Sequence, residues 1–383
     1  MRRRYILLLT SALFSSIISS FLYIYIKYLN FPEYFYSVLI AIPSLAAIFS
    51  AITYGHLKYT KENYFNYVLF GIFGTLLSTY IYVFYKDPFI YIINTFLFNF
   101  SATVAYYAII KYTKDVKMNF YNAIFTLIGY LIVYLLVLIY TNLDFLFILF
   151  FIAHFIGFLV VTILVAKNLI LNIIETLKKE IGILNIVDTI LASVEEKVNK
   201  ELERYVPDIR LNEIKIERIS LINFIAVIGF SSIYTKVVYL VNTYNLTNMF
   251  PIFFLISSGI GALAFLIPPK ENIKLSSLGM LIRIFVGILI LLVLFNIINI
   301  QSYSLAFFIL LFILIPLSWN LFVLYADNFI LKVREELFSS VYFFRNLAGF
   351  ITPFIVPLLP GISPIVLGII SLIISIVLIF KVK

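Results

Sequence analysis

Residues 167–218 read KNLILNIIETLKKEIGILNIVDTILASVEEKVNKELERYVPDIRLNEIKIER, the only long part of the chain that could not sit in a lipid bilayer. They hold 19 of its 47 charged residues, nine basic and ten acidic. Leu177, Ile181, Leu184, Val187, Leu191, Val194, Val198 and Leu202 recur every three or four residues, the period of one helix face, until Pro207 interrupts it. Glu196 and Lys200, four apart, are neighbours on the wet side of such a helix. The stretch predicts a solvated amphipathic connector helix lying against one membrane face; a regulatory or dimerising role is the alternative reading. It divides the chain into an N-terminal bundle (1–166), a connector (167–213) and a C-terminal bundle (214–383).

The flanking blocks set the class. With 63% hydrophobic and 12% charged residues and a mean hydropathy of +1.08, the chain reads as a polytopic membrane protein. It contains no cysteine and only two histidines, His56 and His154, which excludes disulfides and thiolate metal sites and leaves no basis for a metal or cofactor. The net charge of +9 lies wholly outside the connector, so it marks sidedness and contact with lipid headgroups, not a nucleic-acid partner. Met1 to Arg4 lead into an apolar run that continues to Tyr28 with no small-residue cleavage site, an uncleaved first helix.

A bilayer core of ~30 Å needs roughly 20 apolar residues in a helix. Twelve stretches qualify: near 5–28, 34–55, 65–85, 88–110, 120–140 and 145–166, then 219–241, 247–267, 275–298, 303–326, 338–359 and 362–380. None shows the apolar–polar alternation of outer-membrane strands. Arg2 to Arg4, Lys58, Lys61, Lys111, Lys114, Lys117, Lys270, Lys274, Lys332, Arg334, Lys381 and Lys383 all fall on one side of this arrangement, against Lys86 and Lys27 on the other. The positive-inside rule then places both termini and the connector in the cytoplasm, in a cytoplasmic membrane.

The halves also echo each other. A shift of 209 positions lays Phe21, Ile24, Tyr25 and Lys27 on Phe230, Ile233, Tyr234 and Lys236, and Lys61-Glu62-Asn63 on Lys270-Glu271-Asn272. A shift of 220 pairs Lys114-Asp115 and Leu127-x-Gly129 with Arg334-Glu335 and Leu347-x-Gly349. Because each half has an even number of spans, the repeats point the same way, related by an axis along the membrane normal. Six spans, a charged connector and six more in parallel repeat resemble the major facilitator superfamily (MFS) along essentially the whole chain. The resemblance implies an all-α fold of two six-helix bundles working by alternating access, as a monomer. It implies gating roles for the loop after the second span (Gly55, Lys61, Glu62), its repeat (Lys270, Glu271) and the tenth-to-eleventh span junction (Arg334, Glu335). In the first of these loops Gly55 is kept, whereas Tyr59, Thr60, Glu62, Asn63 and Tyr64 occupy the places of that family's charged and glycine positions. The Gly-Pro signature of its drug antiporters is absent from the fifth span, which offers only Gly129.

Charges inside a bilayer are costly and are functional candidates. Glu33, Asp87, Asp144 and Asp327 all fall at span ends, so no carboxylate sits well inside a span, which favours a uniporter or exchanger over proton coupling. Lys27 and Lys236, matched by the repeat, either share an outer vestibule that attracts anions or snorkel separately to headgroups. Arg283 reads as paired with Asp327 or Glu335, or as snorkelling; Arg345 as a candidate substrate contact; His154 as a packing histidine. Uncharged polar groups mark the path: Asn94, Asn99, Thr103 and Tyr106 on the fourth span, Ser318, Trp319, Asn320 and Tyr325 on the tenth. Trp319 reads equally as lipid-facing bulk. Pro316 frees the carbonyl of Phe312, a local break of the sort transporter sites use. The expected function is secondary-active or facilitative transport of a small organic solute. Two rivals remain: a membrane-embedded transferase on lipid-linked substrates, whose paired acids would be Glu335 with Glu336 or Glu195 with Glu196, and a transport-dead sensor or scaffold.

Overall fold

The computed structural model describes residues 2–54, 64–113, 117–179, 209, 211–264 and 272–382. Among them run twelve α-helices: α1 (Arg2–Tyr28), α2 (Tyr34–Tyr54), α3 (Tyr64–Phe84), α4 (Pro88–Thr113), α5 (Lys117–Ile139), α6 (Leu143–Lys179), α7 (Arg218–Thr243), α8 (Phe250–Ala264), α9 (Ser277–Leu294), α10 (Ser304–Val333), α11 (Phe338–Ile355) and α12 (Ser363–Phe380). Ten carry a stretch long and apolar enough to cross a bilayer, and α5 and α8 add shorter apolar segments. The protein is a multi-pass membrane protein. The expected helix of the connector falls largely on 180–208, outside the described residues. Its beginning, however, is a continuation of α6, which runs from the apolar span Leu143–Ile163 on to Lys179.

The repeat predicted from sequence appears as a recurring set of neighbours. α1 packs on α5 as α7 packs on α11, α3 on α4 as α9 on α10, and α3 on α6 as α9 on α12. Across the halves, α2 meets α11 and α5 meets α8, the same exchange twice. One detail of the repeat does not hold. Lys27 is one residue from the end of α1 while Lys236 is seven from the end of α7, so they differ in depth by about 9 Å at 1.5 Å per residue. The matched Phe-Ile-Tyr-Lys register reflects a composition biased toward those residues.

Lipid tails are as apolar as leucine, so helix pairing here depends on close approach and buried polar groups. Gly279 shows the first: a Cβ there would lie 2.2 Å from the Ser318 carbonyl oxygen and 2.7 Å from the Phe322 nitrogen, so only glycine lets α9 lie against α10. His154 shows the second, stacked on Phe14 at 4.6 Å with its ring nitrogens 3.2 and 3.4 Å from Thr75 and Thr79 Oγ1.

On the face that bears the termini, the segment leading into α7 joins both halves. Ile209 is fully buried in a cluster with Leu7, Ile48, Tyr64 and Val68 of the N-terminal half. A few residues on, Ser340 of α11 accepts the Lys215 N–H at 2.8 Å, and Arg334 bonds Glu217 at 2.8 Å and Glu336 at 2.6 Å. The Arg334 bond holds the Glu336 carboxyl below its usual range. Of the gating expectations, Gly55, Lys61, Glu62, Lys270 and Glu271 lie outside the described residues, as does the side chain of Glu335.

Candidate functional site: a hydroxyl-lined cavity

Three helices of the N-terminal half each turn one polar stripe to a common space. α1 contributes Ser11, Ser15, Ser16 and Ser19, α4 contributes Asn99, Thr103 and Tyr106, and α5 contributes Asn122, Thr126 and Tyr130. Spacings of three and four keep each set on one helix face. They enclose about 260 Å³. A second space of about 160 Å³ shares Ser19, Phe98, Asn99 and Tyr130 with the first and continues it between Tyr23, Leu39, Pro43 and Phe254 of α8. Among the described residues, no charged side chain lines either one.

The far end is sealed by aromatic rings from both halves. Tyr23 lies 5.0 Å from the rings of Phe250 and Phe254, Tyr130 is 5.7 Å from Phe254, and Tyr36 is 6.2 Å from Tyr239. Beyond this seal, polar side chains clasp across the halves: Ser37 with Tyr239 at 2.8 Å, Asn242 to Glu33 at 2.9 Å, and Lys27 to Asn245 at 3.3 Å. The cavity therefore extends from a closed end remote from the termini toward the termini-bearing face. Near that face Tyr107 and Tyr342 hydroxyls meet at 3.0 Å across the halves.

Of the residues expected to line the path, Asn99, Thr103 and Tyr106 face this cavity. Asn94 does not: it is buried against α3, its amide donating to the Ser78 carbonyl at 2.8 Å. The α10 group is used within its own half. Ser318 is fully buried beneath Arg283, Trp319 packs edge-on to Phe230 at 5.5 Å, Asn320 faces Gly261 of α8, and Tyr325 is buried. Lys27 sits in the clasp across the halves, and Lys236 lines neither space. The serines of α1 and the Asn122-Thr126-Tyr130 set of α5 were missed, although the repeat of polar residues at i, i+4 and i+8 was readable in the chain.

Two buried arginines also differ from expectation. Among the described residues Arg283 has no carboxylate partner, and it is buried; it donates to Ser318 Oγ at 2.9 Å, the Ile315 carbonyl at 2.8 Å and the Phe230 carbonyl at 3.3 Å. Uncompensated burial of a cation costs several kcal/mol, which these three bonds and the Phe230 ring beneath the guanidinium, 4.9 Å away, offset. The Phe312 carbonyl released by Pro316 receives the Ser257 hydroxyl at 3.2 Å. Arg345 is 8% exposed and donates to Asn223 at 2.8 Å and to Asp327 at 2.5 Å. Asp327 lies six residues before α10 ends at Val333.

Comparison with known proteins gives the fold a name. No family model and no curated protein matches the chain by sequence. Solved structures do match. A POT family transporter in complex with 5-aminolevulinic acid superimposes with a TM-score of 0.63 at 14% identity, over 99% of this chain and 95% of that one. The nucleoside transporter NupG gives 0.60 at 14% identity over 100% of both chains. The E. coli xylose transporter XylE, in a partially occluded inward-open conformation, gives 0.61 at 12% identity over 99% and 97%. At this identity the likeness shows the fold, that of major facilitator transporters.

Proposed function

We propose that the protein carries a small, uncharged polar solute across the cytoplasmic membrane by alternating access, as a secondary-active or facilitative transporter with its termini in the cytoplasm. One observation carries the reading: a cavity lined, among the described residues, by uncharged polar side chains and closed at the end away from the termini by contacts to which both halves contribute. A seal made across two bundles opens when the bundles rock, as a seal within one bundle would not. The clasp is built from single hydrogen bonds, each worth about 0.5–1.5 kcal/mol, a scale that lets two states exchange. The basic loops on the termini-bearing face support the orientation. The solved transporters that share the fold move small solutes according to their names, which supports the function class.

The test is a distance. The chain has no cysteine, so spin labels at Tyr140→Cys and Tyr303→Cys, both exposed at the outer ends of opposite halves, report only this gap. Two populations are expected in liposomes. Tyr239→Phe, which removes the bond to Ser37, is expected to raise the wider one about three- to tenfold. A single distance, unchanged by that substitution, removes alternating access.

A further inference from the structure

The two connected spaces differ in character, and the difference describes a ligand. Resting on the transport reading above, we propose that they hold a two-part solute: a polar end among the hydroxyls of the larger space and one apolar ring, of phenyl size, in the smaller. Ser19 and Asn99 stand where the two spaces join. Apart from these and Thr95, the smaller space is lined by aliphatic and aromatic residues, Leu22, Leu39 and Phe98 beside the rings of Tyr23, Tyr130 and Phe254. The Thr95 hydroxyl is already engaged, donating to the Tyr91 carbonyl at 2.8 Å and accepting from Tyr82 at 2.9 Å. The tyrosine hydroxyls have neighbours of their own, Tyr234 for Tyr23, and Ser19 and Ser258 for Tyr130. What this space offers an occupant is therefore mainly hydrocarbon and aromatic surface. The Leu39 carbonyl, left without its helical donor by Pro43, is the exception.

Size narrows the occupant. The smaller space measures about 160 Å³, and an apolar cavity of about 150 Å³ takes up benzene, so one ring fits and a fused tricycle does not. Position gives the ring a role. Tyr23 and Tyr130 belong to the N-terminal half and Phe254 to α8 of the other, so a ring seated here touches both halves at the seal. A polar solute without a ring would fill the larger space and leave that contact unmade. Mostly apolar walls with a few placed polar groups, at the boundary between two domains, are the common form of a small-molecule pocket.

The chain has no cysteine, so Ser19→Cys, almost isosteric and at the junction of the spaces, gives the full chain in nanodiscs a single thiol. Its rate of reaction with a methanethiosulfonate reagent reports occupancy. Three probes share one diol end: glycerol, 3-phenoxy-1,2-propanediol, and the anthracenyloxy analogue, which is more apolar and too large for the smaller space. The phenoxy diol is expected to halve the rate at a concentration about ten- to a hundredfold below that of glycerol, the gain from burying one phenyl group. The anthracenyl diol is expected to protect no better than glycerol. Leu22→Phe, which fills the smaller space, is expected to cut the phenyl advantage to about twofold; Leu39→Phe is the second filling variant should the first fail to fold. The proposal is overturned by equal protection from phenoxy diol and glycerol, by protection that keeps rising with apolarity through the anthracenyl diol, by no protection at all, or by a phenyl advantage that survives filling. The labelled gap keeps the two readings apart: if it opens while the phenyl advantage is missing, the ring site falls and transport stands; if it never opens, transport falls whatever the probes do.

Discussion

Alanine in place of Asp327 is expected to destabilise the protein by about 2–3 kcal/mol, because it strands a buried cation. Breaking a fully buried ion pair by removing one partner costs ~3–5 kcal/mol; the lower figure applies because the Asp327 side chain is 28% exposed while that of Arg345 is 9% exposed. Arg345 has little to fall back on. Its Nη2 has no partner, which leaves Asn223 and the Phe322 ring, 5.3 Å away. Replacing both members, Asp327→Leu with Arg345→Met, is expected to leave stability close to that of the parent, since apolar pairs of similar volume substitute for buried ion pairs at small cost. Trp319 is the only tryptophan, so thermal unfolding followed by its fluorescence reports on this half. Equal losses in the single and double variants would show that the pair's charge is not what matters.

Gly279→Ala is expected to be at least as damaging, about 3 kcal/mol or more. One methyl group at that site meets backbone at 2.2 and 2.7 Å, atoms that no rotamer change can move. Overpacking alone costs typically 1–3 kcal/mol. Forcing α9 from α10 also stretches the bond from Arg283 to Ser318, and a bond to a charged group contributes ~1.5–3 kcal/mol. By contrast Gly259, in α8, has open space where a Cβ would stand, and Gly259→Ala is expected to change the unfolding midpoint little. Comparable losses at the two positions would refute the close-approach argument.

The two outcomes differ in how far the chain announced them. Span positions, the parallel arrangement and the freed carbonyl at Phe312 were legible, because bilayer thickness and backbone hydrogen bonding leave few alternatives. Which face of a span turns inward was not, because an apolar face suits lipid and protein interior alike. Asn94 and Asn99 look equivalent in sequence, yet one is turned to α3 and the other to the cavity. Helix length was less legible than span length: hydropathy fades near Asp327, whereas α10 keeps its hydrogen bonding to Val333. The serines of α1 were overlooked because single hydroxyls in an apolar run are cheap to bury by bonding to their own helix, as Ser16 and Ser19 do.

The segment anchored at Ile209 and again at Lys215 acts as a leash. Six residues reach at most about 20–22 Å when fully drawn out. While both anchors hold, the point where Ile209 enters the N-terminal half and the point where Ser340 grips the backbone cannot part by more than that. In the proposed transport cycle, the stroke of the two bundles on this face thus has a ceiling written in chain length. Lengthening the leash by a few glycines would raise it without touching the cavity, the seal or the clasp.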